Sequence, residues 1–348
     1  MLDFNADDIY ALDARQKQAF LQPELDKLSE FHREHCDAYQ RICSGWNLAA
    51  GDSAMPLAVR LFKEMSLKSI SDDEVFKVLH SSGTSGQPST IYLDKATAQL
   101  QSQILVKILQ HWLGKARRPM LLIDSPATLK KSGGMSARAA GLQGLSFFGH
   151  NHTYALDENM QLDINAVSQF FAEFGQQPVL MFGFTFMVWQ CFVQQLQKHN
   201  LRFNLQDAVL IHGGGWKKLQ AQAVSNQDFK QAINLQLGHV RVHDYYGMVE
   251  QTGTIYFECE QGHLHCPVWS DIQIRRAHDL SVCDVGETGL IQLNSVTAQS
   301  YPGHQLLTED LGLLLGEDDC QCGRKGKYFN VVGRVPKAEV RGCSDTFS

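Results

Sequence analysis

A stretch rich in hydroxyl side chains and glycine lies between His80 and Ser89 (HSSGTSGQPS). Two glycines relax its backbone, and backbone N–H groups and hydroxyls in such a loop can surround the oxygens of a polyphosphate. No Gly-Lys-Ser/Thr follows, so this is not a Walker loop. A solvated turn is the alternative, but the position directly after an apolar strand pattern favours phosphate binding. The candidate binding residues are Ser81, Ser82, Gly83, Thr84, Ser85 and Gly86.

Cysteine and histidine residues form a second group of candidate ligands. Three thiolates and one imidazole are a normal tetrahedral set for Zn²⁺, and the C-x-C spacing near residue 320 is tight but feasible. The alternative is a group of unrelated free thiols, because the site requires distant segments to converge. The sequence therefore predicts a structural zinc site. Its predicted ligands are Cys259, His265, Cys320 and Cys322, with His263 and Cys266 in reserve.

The hydroxyl-rich loop resembles the phosphate-binding loop of the adenylate-forming superfamily, which includes the acyl-CoA synthetases. Those enzymes activate a carboxylate with ATP, release pyrophosphate and form an acyl-adenylate. The segment 244–250 (DYYGMVE) resembles the superfamily's Tyr-Gly-x-x-Glu element, and 307–312 (LTEDLG) resembles its Thr-x-Asp element. The resemblance implies ATP and Mg²⁺ as cofactors. It implies that Tyr246 stacks on adenine beside Gly247, Glu250 holds Mg²⁺, Asp310 binds the ribose hydroxyls, and Arg334 lies near the nucleotide.

Two further segments occur in the order that this superfamily has. Residues 212–216 (HGGGW), with Gly214, occupy the place of a segment that lines the adenine and acyl pockets. Residues 182–186 (FGFTF) resemble the segment that borders the carboxylate substrate, although core packing is the alternative for such aromatics. Both follow apolar runs and precede helical patterns, which is where α/β sheets bind ligands. The zinc set also resembles a pattern of phenylacetate-CoA ligase relatives.

The residues near the end of the sequence resemble one particular family within this superfamily. The superfamily continues beyond the Gly-Arg pair at Arg334 as a lid domain with a catalytic lysine, whereas this sequence ends at Ser348. Its length and a Gly-Cys-Ser at Cys343 are similar to the acyl-protein synthetases of the bacterial luminescence fatty-acid reductase complex, the long-chain-fatty-acid–luciferin-component ligases. In that family a cysteine near the C-terminus receives the acyl group and passes it to a reductase subunit. Cys343 matches that role; an ordinary exposed thiol is the alternative.

Two features depart from the superfamily pattern. Ser89-Thr90 stands where the phosphate loop often carries a lysine, and the lid lysine is absent. Adenylation therefore requires a local cation at the phosphates or a partner that completes the site, or else it is slow. The candidate cations are Lys325, Lys327, Arg334 and Lys337.

The elements that must position these residues follow from hydrophobic periodicity. Apolar residues at helical spacing predict helices over 13–35 and 96–113. Short apolar runs at 120–123, 179–181 and 208–211, each followed by Gly, Ser or Pro and a helical stretch, predict a mostly parallel α/β sheet. After Tyr245 short strand patterns predict a β-rich module.

The predicted fold is therefore α/β, with the N-terminal architecture of adenylate-forming enzymes and a truncated lid. That architecture combines doubly wound α/β subdomains with a small β-rich module. Three segments are predicted: an N-terminal helical segment (1–75), an α/β nucleotide- and acyl-binding region (76–244), and a β-rich module with the zinc site and the acceptor tail (245–348).

Composition excludes several classes of protein. The chain has 31 basic and 37 acidic residues, a net charge of −6, which argues against a nucleic-acid binder. No stretch approaches the roughly 20 apolar residues of a membrane span. The N-terminus lacks the basic and apolar regions of a signal peptide. Nine cysteines without a secretion signal favour reduced thiols in the cytoplasm.

Together these features predict an ATP-dependent acyl-protein synthetase. A fatty acid or related carboxylate attacks the α-phosphate of ATP, and a thiolate then displaces AMP from the mixed anhydride. Glu250, Arg334 and Cys343 are the candidate catalytic residues, and an acyl-accepting reductase or carrier protein is the expected partner. Two alternatives stay open: an acyl- or aryl-CoA ligase of the phenylacetate-CoA ligase type, and a non-catalytic nucleotide-binding scaffold.

Overall fold

The computed structural model describes residues 8–46, 55–81, 87–130, 137–216 and 223–335. Some predicted positions lie outside the described residues: Ser82, Gly83, Thr84, Ser85, Gly86, Lys337 and Cys343. In the described ranges the helices are α1 (Ala14–His35), α2 (Asp37–Gly45), α3 (Leu61–Glu64), α4 (Lys95–Leu113), α5 (Ala127–Lys130), α6 (Ala137–Ser146), α7 (Ile164–Phe174), α8 (Thr185–Met187), α9 (Gln194–Lys198) and α10 (Asn226–Leu237). A π-helical turn, Val188–Val193, joins α8 to α9.

The strands of the same ranges are β1 (Leu57–Ala58), β2 (Lys77–His80), β3 (Thr90–Leu93), β4 (Arg118–Ile123), β5 (Gly149–Tyr154), β6 (Val179–Phe184), β7 (Leu205–Gly213), β8 (Gly238–Tyr246), β9 (Tyr256–Glu258), β10 (Leu264–His265), β11 (Ser270–Arg275), β12 (Thr288–Ser295), β13 (Gln305–Glu317) and β14 (Lys327–Arg334).

Helix α1 confirms the helix predicted over 13–35. It begins where the Asp13 carboxylate accepts a hydrogen bond from the Gln16 backbone N–H, while the Gln16 side chain bonds back to Asp13. This reciprocal arrangement satisfies two backbone donors that the first turn would leave unpaired. Leu21 and Leu25, four residues apart, are both buried, so one face of the helix packs on the core.

The parallel α/β sheet predicted for the middle of the chain is confirmed. Strand β6 pairs in parallel with β4 on one side and with β7 on the other, and β7 pairs in parallel with β8. Strand β5 pairs in parallel with the remaining side of β4. Every residue of β6 (VLMFGF) is buried, as expected for a parallel strand that helices cover on both faces. The ends of these strands therefore share one edge of the sheet, at which their following loops meet.

The β-rich region continues this sheet. In the described part of the chain twelve strands form one sheet in the order β11-β12-β13-β14-β10-β9-β8-β7-β6-β4-β5, with β1 added to β13. Strand β8 pairs in parallel with β7 and antiparallel with β9, so the sheet runs through the predicted boundary at residue 244. The division of the chain into three segments therefore remains a prediction.

Strands β3 and β13 are among those that the sequence did not predict. Strand β13 has 13 residues, but its polar run at Thr308–Asp310 and its two glycines hide the strand pattern. Two register shifts against β14 accommodate this irregular composition. Strand β3 pairs antiparallel with β2, so the hydroxyl-rich stretch connects a β-hairpin instead of leading directly into a helix. None of the described helices is long and apolar enough to cross a membrane.

Candidate functional site

Three glycine-containing segments meet at the carboxyl edge of the parallel strands. In the register of the sheet Phe184 of β6 is opposite Gly213 of β7, which is opposite Tyr245 of β8. A Cβ on Gly213 would lie 2.7 Å from the Tyr245 ring, and one on Gly214 would lie 2.9 Å from the Phe184 ring. Gly214 also has a positive φ of 81°, which side chains other than glycine rarely adopt. The aromatic and glycine-rich segments thus pack tightly against one another at this edge.

The glycine-rich segment is held by a relay of two side chains. The Thr185 hydroxyl lies 3.1 Å from the Gly213 carbonyl oxygen and 3.0 Å from Nδ1 of His212. Burial lowers the pKa of His212 to about 3, so its imidazole is neutral near pH 7. Nδ1–H then donates to the threonine oxygen, and the threonine hydroxyl donates to Gly213, which accounts for both contacts.

Tyr246, Asp310 and Arg334 come together although they belong to three different strands. The Tyr246 hydroxyl donates to Oδ2 of Asp310 at 2.8 Å, and Nε of Arg334 is 3.2 Å from Oδ1. Asp310 and Arg334 are paired in the β13–β14 register, which fixes their proximity. Burial and the neighbouring carboxylate raise the pKa of Tyr246, so its hydroxyl remains a donor. An ionised carboxylate has about four acceptor positions, so Asp310 retains capacity for further hydroxyl groups.

Glu250 lies in a short 3-10 turn, Val249–Gln251, that follows β8. Its side chain is almost fully buried, at 6% exposure. Burial raises the pKa of Glu250, whereas the Ser89 hydroxyl and the Lys63 charge act in the opposite direction. Proteins usually hold Mg²⁺ with one or two carboxylates together with phosphate oxygens. The donor chemistry of the turn therefore fits this ion.

The base of the hydroxyl-rich loop is closed by two of its own residues. The Ser81 backbone N–H donates to the Ser89 carbonyl at 3.1 Å, and the Ser89 N–H donates to the Ser81 hydroxyl at 2.8 Å. Because Ser89 also lies beside Glu250, the base of the loop and the Glu250 turn are neighbours. Of the predicted loop residues, Ser81 therefore lies at the base of the loop, bonded to Ser89.

The basic residues that the sequence predicts at the phosphates have different partners in the structure. Arg334 lies at Asp310, but Nζ of Lys327 pairs with Asp271 at 2.6 Å and Nζ of Lys325 donates to the Asp318 carbonyl at 3.2 Å. Sequence reasoning missed Lys63, whose charge acts on Glu250 from helix α3. No motif surrounds this lysine, so only its position in the fold brings it into consideration.

The four predicted zinc ligands converge. The candidate ligand atoms of Cys259, His265, Cys320 and Cys322 all lie within 4.8 Å of one another. The sulfurs of Cys259 and Cys320 are 3.9 Å apart, and Sγ of Cys322 is 3.3 Å from Nε2 of His265. Tetrahedral zinc bonds would give edges of about 3.8 Å between sulfurs and about 3.6 Å between sulfur and nitrogen. Both the donor set and its spacing therefore fit zinc.

The backbone and rings around this cluster support it from several directions. The Gln261 backbone N–H donates to the Cys259 sulfur at 3.4 Å, and the Tyr328 ring stacks on His265 with centroids 5.6 Å apart. Of the two reserve residues, His263 approaches the Cys320 sulfur to 3.4 Å without belonging to the group of four, and Cys266 is buried outside that group. The cluster joins β10 and the segment before it to the turn that precedes β14.

Comparison with known proteins agrees with this architecture. A family model described as "Acyl-protein synthetase, LuxE" matches residues 2–348. The long-chain-fatty-acid–luciferin-component ligase of Vibrio harveyi is 24% identical over 358 residues, which cover 96% of this chain and 89% of that protein. The enzyme of the same name from Aliivibrio fischeri is 27% identical over 175 residues, 49% of this chain and 45% of that protein.

A solved structure shares the fold at low sequence identity. An open conformation of 2-hydroxyisobutyryl-CoA ligase in complex with 2-HIB-AMP and CoA is similar with a TM-score of 0.68 and 14% identity. The match covers 97% of this chain and 79% of that one. The fold predicted from the sequence, that of adenylate-forming enzymes, is thereby confirmed.

Proposed function

The chain belongs to the LuxE family of acyl-protein synthetases, which are adenylate-forming ligases, and we propose that it activates a fatty acid with ATP and transfers the acyl group to Cys343. The name of the Vibrio harveyi relative, a ligase of long-chain fatty acids, supports the substrate class. A protein partner, a reductase or an acyl carrier, would then take the acyl group from the thioester.

The meeting of Tyr246, Asp310 and Arg334 is the observation that carries this proposal. Each residue was assigned to the nucleotide from a separate motif, and the contacts at 2.8 Å and 3.2 Å join all three. In the proposal Asp310 accepts hydrogen bonds from the ribose hydroxyls, the Tyr246 ring stacks on adenine above Gly247, and Gly214 lines the adenine pocket. Arg334 places a positive charge next to the nucleotide.

Adenylation consists of in-line attack by a fatty-acid carboxylate on the α-phosphorus of ATP, with pyrophosphate as the leaving group. Catalysis of phosphoryl transfer rests on positioning and on stabilising the negative charge of the phosphate oxygens. In the proposal the loop 81–86 surrounds those oxygens, and Glu250 holds Mg²⁺, which neutralises phosphate charge when bound. Lys63 adds a cation on the Glu250 side, where the superfamily pattern would have a loop lysine.

Acyl transfer then requires a thiolate at the adenylate. Val335 is hydrogen-bonded to the Glu309 carbonyl at 2.9 Å, next to Asp310, and Cys343 follows eight residues later. A peptide of that length spans at most about 26–29 Å, so the tether permits the Cys343 sulfur to reach the site. The sulfur attacks the carbonyl carbon, AMP leaves with the anhydride oxygen, and a thioester forms. Lys337 and Arg341 are basic neighbours in the sequence that would favour the thiolate.

The Cys259, His265, Cys320 and Cys322 cluster is proposed to hold a structural zinc ion. It comprises four protein ligands, and a zinc ion with four protein ligands has no open position for substrate. Its function in the proposal is to hold β10 against the turn that precedes β14.

A labelling experiment tests this function. Purified protein is incubated with ATP, Mg²⁺ and a radiolabelled long-chain fatty acid, and the labelled peptide is identified after digestion. We expect hydroxylamine-labile label on the peptide that contains Cys343. Cys343→Ser should abolish this label and keep fatty-acid-dependent ATP–pyrophosphate exchange, whereas Cys191→Ser, a cysteine outside the metal cluster, should change neither.

Three other outcomes would contradict the proposal. Label that appears only on added coenzyme A would assign the chain to the CoA ligases. Label that persists in Cys343→Ser would place the acceptor elsewhere in the chain. Absence of exchange with any carboxylate, in protein that binds ATP, would favour a non-catalytic nucleotide-binding scaffold.

A further inference from the structure

The connection between β12 and β13, residues 296–304 (VTAQSYPGH), is a loop with unusual burial. Val296, Thr297, Ala298, Ser300, Tyr301 and His304 are all at most 1% exposed. Loops usually lie on the surface because their backbone polar groups need partners. Here some of the partners come from the hairpin that carries the hydroxyl-rich stretch and from the Glu250 turn.

The contacts of the 296–304 loop go to several elements. The Ser300 hydroxyl donates to the Tyr92 carbonyl of β3 at 2.9 Å, which links the loop to the hairpin that carries the hydroxyl-rich stretch. Nε2 of Gln101, on α4, donates to the Thr297 carbonyl at 3.3 Å. On the other side Nε2 of Gln251 donates to the Gly303 carbonyl at 2.8 Å. The loop therefore touches both the hairpin and the turn that contains Glu250.

Tyr301 is the member of this loop that bonds directly to Glu250. Its hydroxyl donates to the Glu250 carbonyl oxygen at 2.9 Å and lies 3.3 Å from the Gln101 amide nitrogen that donates to it. Burial raises the pKa of Tyr301, so the hydroxyl keeps its proton. Gly303 allows this approach, because a Cβ there would lie 2.3 Å from the Tyr301 ring and 2.8 Å from the Glu250 oxygen.

We propose that Tyr301 is a positioning residue for Glu250, and that its hydroxyl holds the 3-10 turn in the orientation in which the Glu250 carboxylate meets the metal–nucleotide complex. The inference rests on the proposed function of Glu250. Tyr301 acts through the backbone of Glu250 and not on the nucleotide itself.

The physical reason is the small number of bonds that define a three-residue turn. Without the Tyr301 hydroxyl, the Glu250 carbonyl becomes a buried acceptor without its partner, and the turn relaxes to satisfy it. Mg²⁺ demands a nearly ideal octahedral arrangement, so a small displacement of one carboxylate weakens the metal complex more than it weakens contacts to adenine or ribose. Loss of the hydroxyl should therefore affect metal-dependent nucleotide binding selectively.

The test compares Tyr301→Phe with the wild type by binding, not only by activity. Binding of Mn²⁺·ATP is followed by electron paramagnetic resonance of the manganese, and binding of metal-free ATP is measured by calorimetry in EDTA. We expect Tyr301→Phe to weaken Mn²⁺·ATP binding about three- to ten-fold, the range of one lost hydrogen bond, and to change metal-free binding less than about two-fold. The Mg²⁺ concentration for half-maximal pyrophosphate exchange should rise by a similar factor.

Tyr10→Phe is the matched control. Tyr10 is a buried tyrosine whose oxygen accepts a hydrogen bond from Nε1 of Trp112 at 3.1 Å. This variant also loses a buried hydroxyl, but in a different part of the fold, so it should leave both binding constants unchanged. If Tyr301→Phe does not fold, Gln101→Met removes the donor to Tyr301 and should shift Mn²⁺·ATP binding in the same direction by about two-fold.

Unchanged Mn²⁺·ATP binding in Tyr301→Phe, or equal losses with and without metal, would overturn the inference. If Gln101→Met is used in place of Tyr301→Phe, unchanged Mn²⁺·ATP binding in that variant would overturn the inference. A wild-type protein that binds Mn²⁺·ATP but catalyses no exchange would contradict the proposed function and not the positioning of Glu250.

Discussion

The Tyr246 hydroxyl donates a hydrogen bond to Oδ2 of Asp310 at 2.8 Å, across 64 residues of sequence. This contact joins the carboxyl end of β8, in the parallel part of the sheet, to β13 in the antiparallel part. It holds an aromatic ring and a carboxylate next to each other where we propose that the nucleotide binds. The two residues are therefore expected to act together.

Asp310→Ala should weaken ATP binding. The change removes the acceptor that we assign to the ribose hydroxyls and leaves the Tyr246 hydroxyl without its partner, a loss of about 1–3 kcal/mol. Calorimetric titration with ATP measures it. Glu309→Ala is the control, because the Glu309 side chain forms an exposed ion pair with Arg334 at 3.5 Å, and such pairs contribute little. Equal losses in the two variants would contradict the assignment.

Glu250→Gln should depress ATP–pyrophosphate exchange while it preserves the fold. The amide keeps the shape of the side chain but removes the charge that binds Mg²⁺. Because burial raises the pKa of Glu250, the ionised carboxylate costs stability at pH 7 or above, and its replacement should leave the melting temperature unchanged or higher. Exchange rates and thermal unfolding at pH 8 measure both effects. Full exchange activity in this variant would contradict the assignment of Glu250 to the Mg²⁺ site.

Protein purified without added zinc should contain close to one equivalent of the metal. Cys320→Ser should lower the zinc content and the melting temperature together, because the ion joins segments far apart in the sequence. Cys283→Ser, a buried cysteine outside the cluster, should retain the metal. Metal analysis by plasma mass spectrometry decides the question. Less than about one-third of an equivalent in well-folded wild-type protein would favour free thiols.

Stability should fall as the pH is lowered from about 6.5 towards 4, through His32. Burial lowers the pKa of His32 to about 4, and the nearby His35 charge acts in the same direction. Its ring bonds to Ser69 and Ala298, and His304, whose pKa burial also lowers, lies 5.0 Å away between ring centroids. The unfolded chain binds more protons in this range, so protonation favours unfolding, by up to about 3 kcal/mol for His32.

Urea unfolding at several pH values measures this dependence. His32→Gln should be less stable at pH 7, because it loses a well-bonded imidazole, but its stability should fall less steeply between pH 6.5 and 4. His199→Gln, at an exposed position, should keep the wild-type slope. An unchanged slope in His32→Gln would show that other groups determine the acid sensitivity.

Local patterns were sufficient to predict candidate residues for the chemistry of the chain. Hydroxyl and glycine residues at 81–86, the carboxylates Glu250 and Asp310, and the Cys/His set are recognisable because residue type and short-range spacing carry the information. The same holds for α1, α4 and the buried parallel strands, whose hydrophobic periods are regular. The resemblance of these features to known families implies the adenylate-forming fold and the acyl-protein synthetase family, and the comparisons confirm both.

Which residues meet was decided only by the tertiary structure. Strand β13 breaks the hydrophobic alternation of a strand, yet its pairing with β14 sets Asp310 beside Arg334. Lys63 and Tyr301 belong to no motif, and they become relevant because the Lys63 charge acts to lower the pKa of Glu250 and the 296–304 loop bonds to the Glu250 turn. Contacts between residues tens to hundreds of positions apart depend on strand order and loop burial, which a sequence pattern of a few residues does not encode.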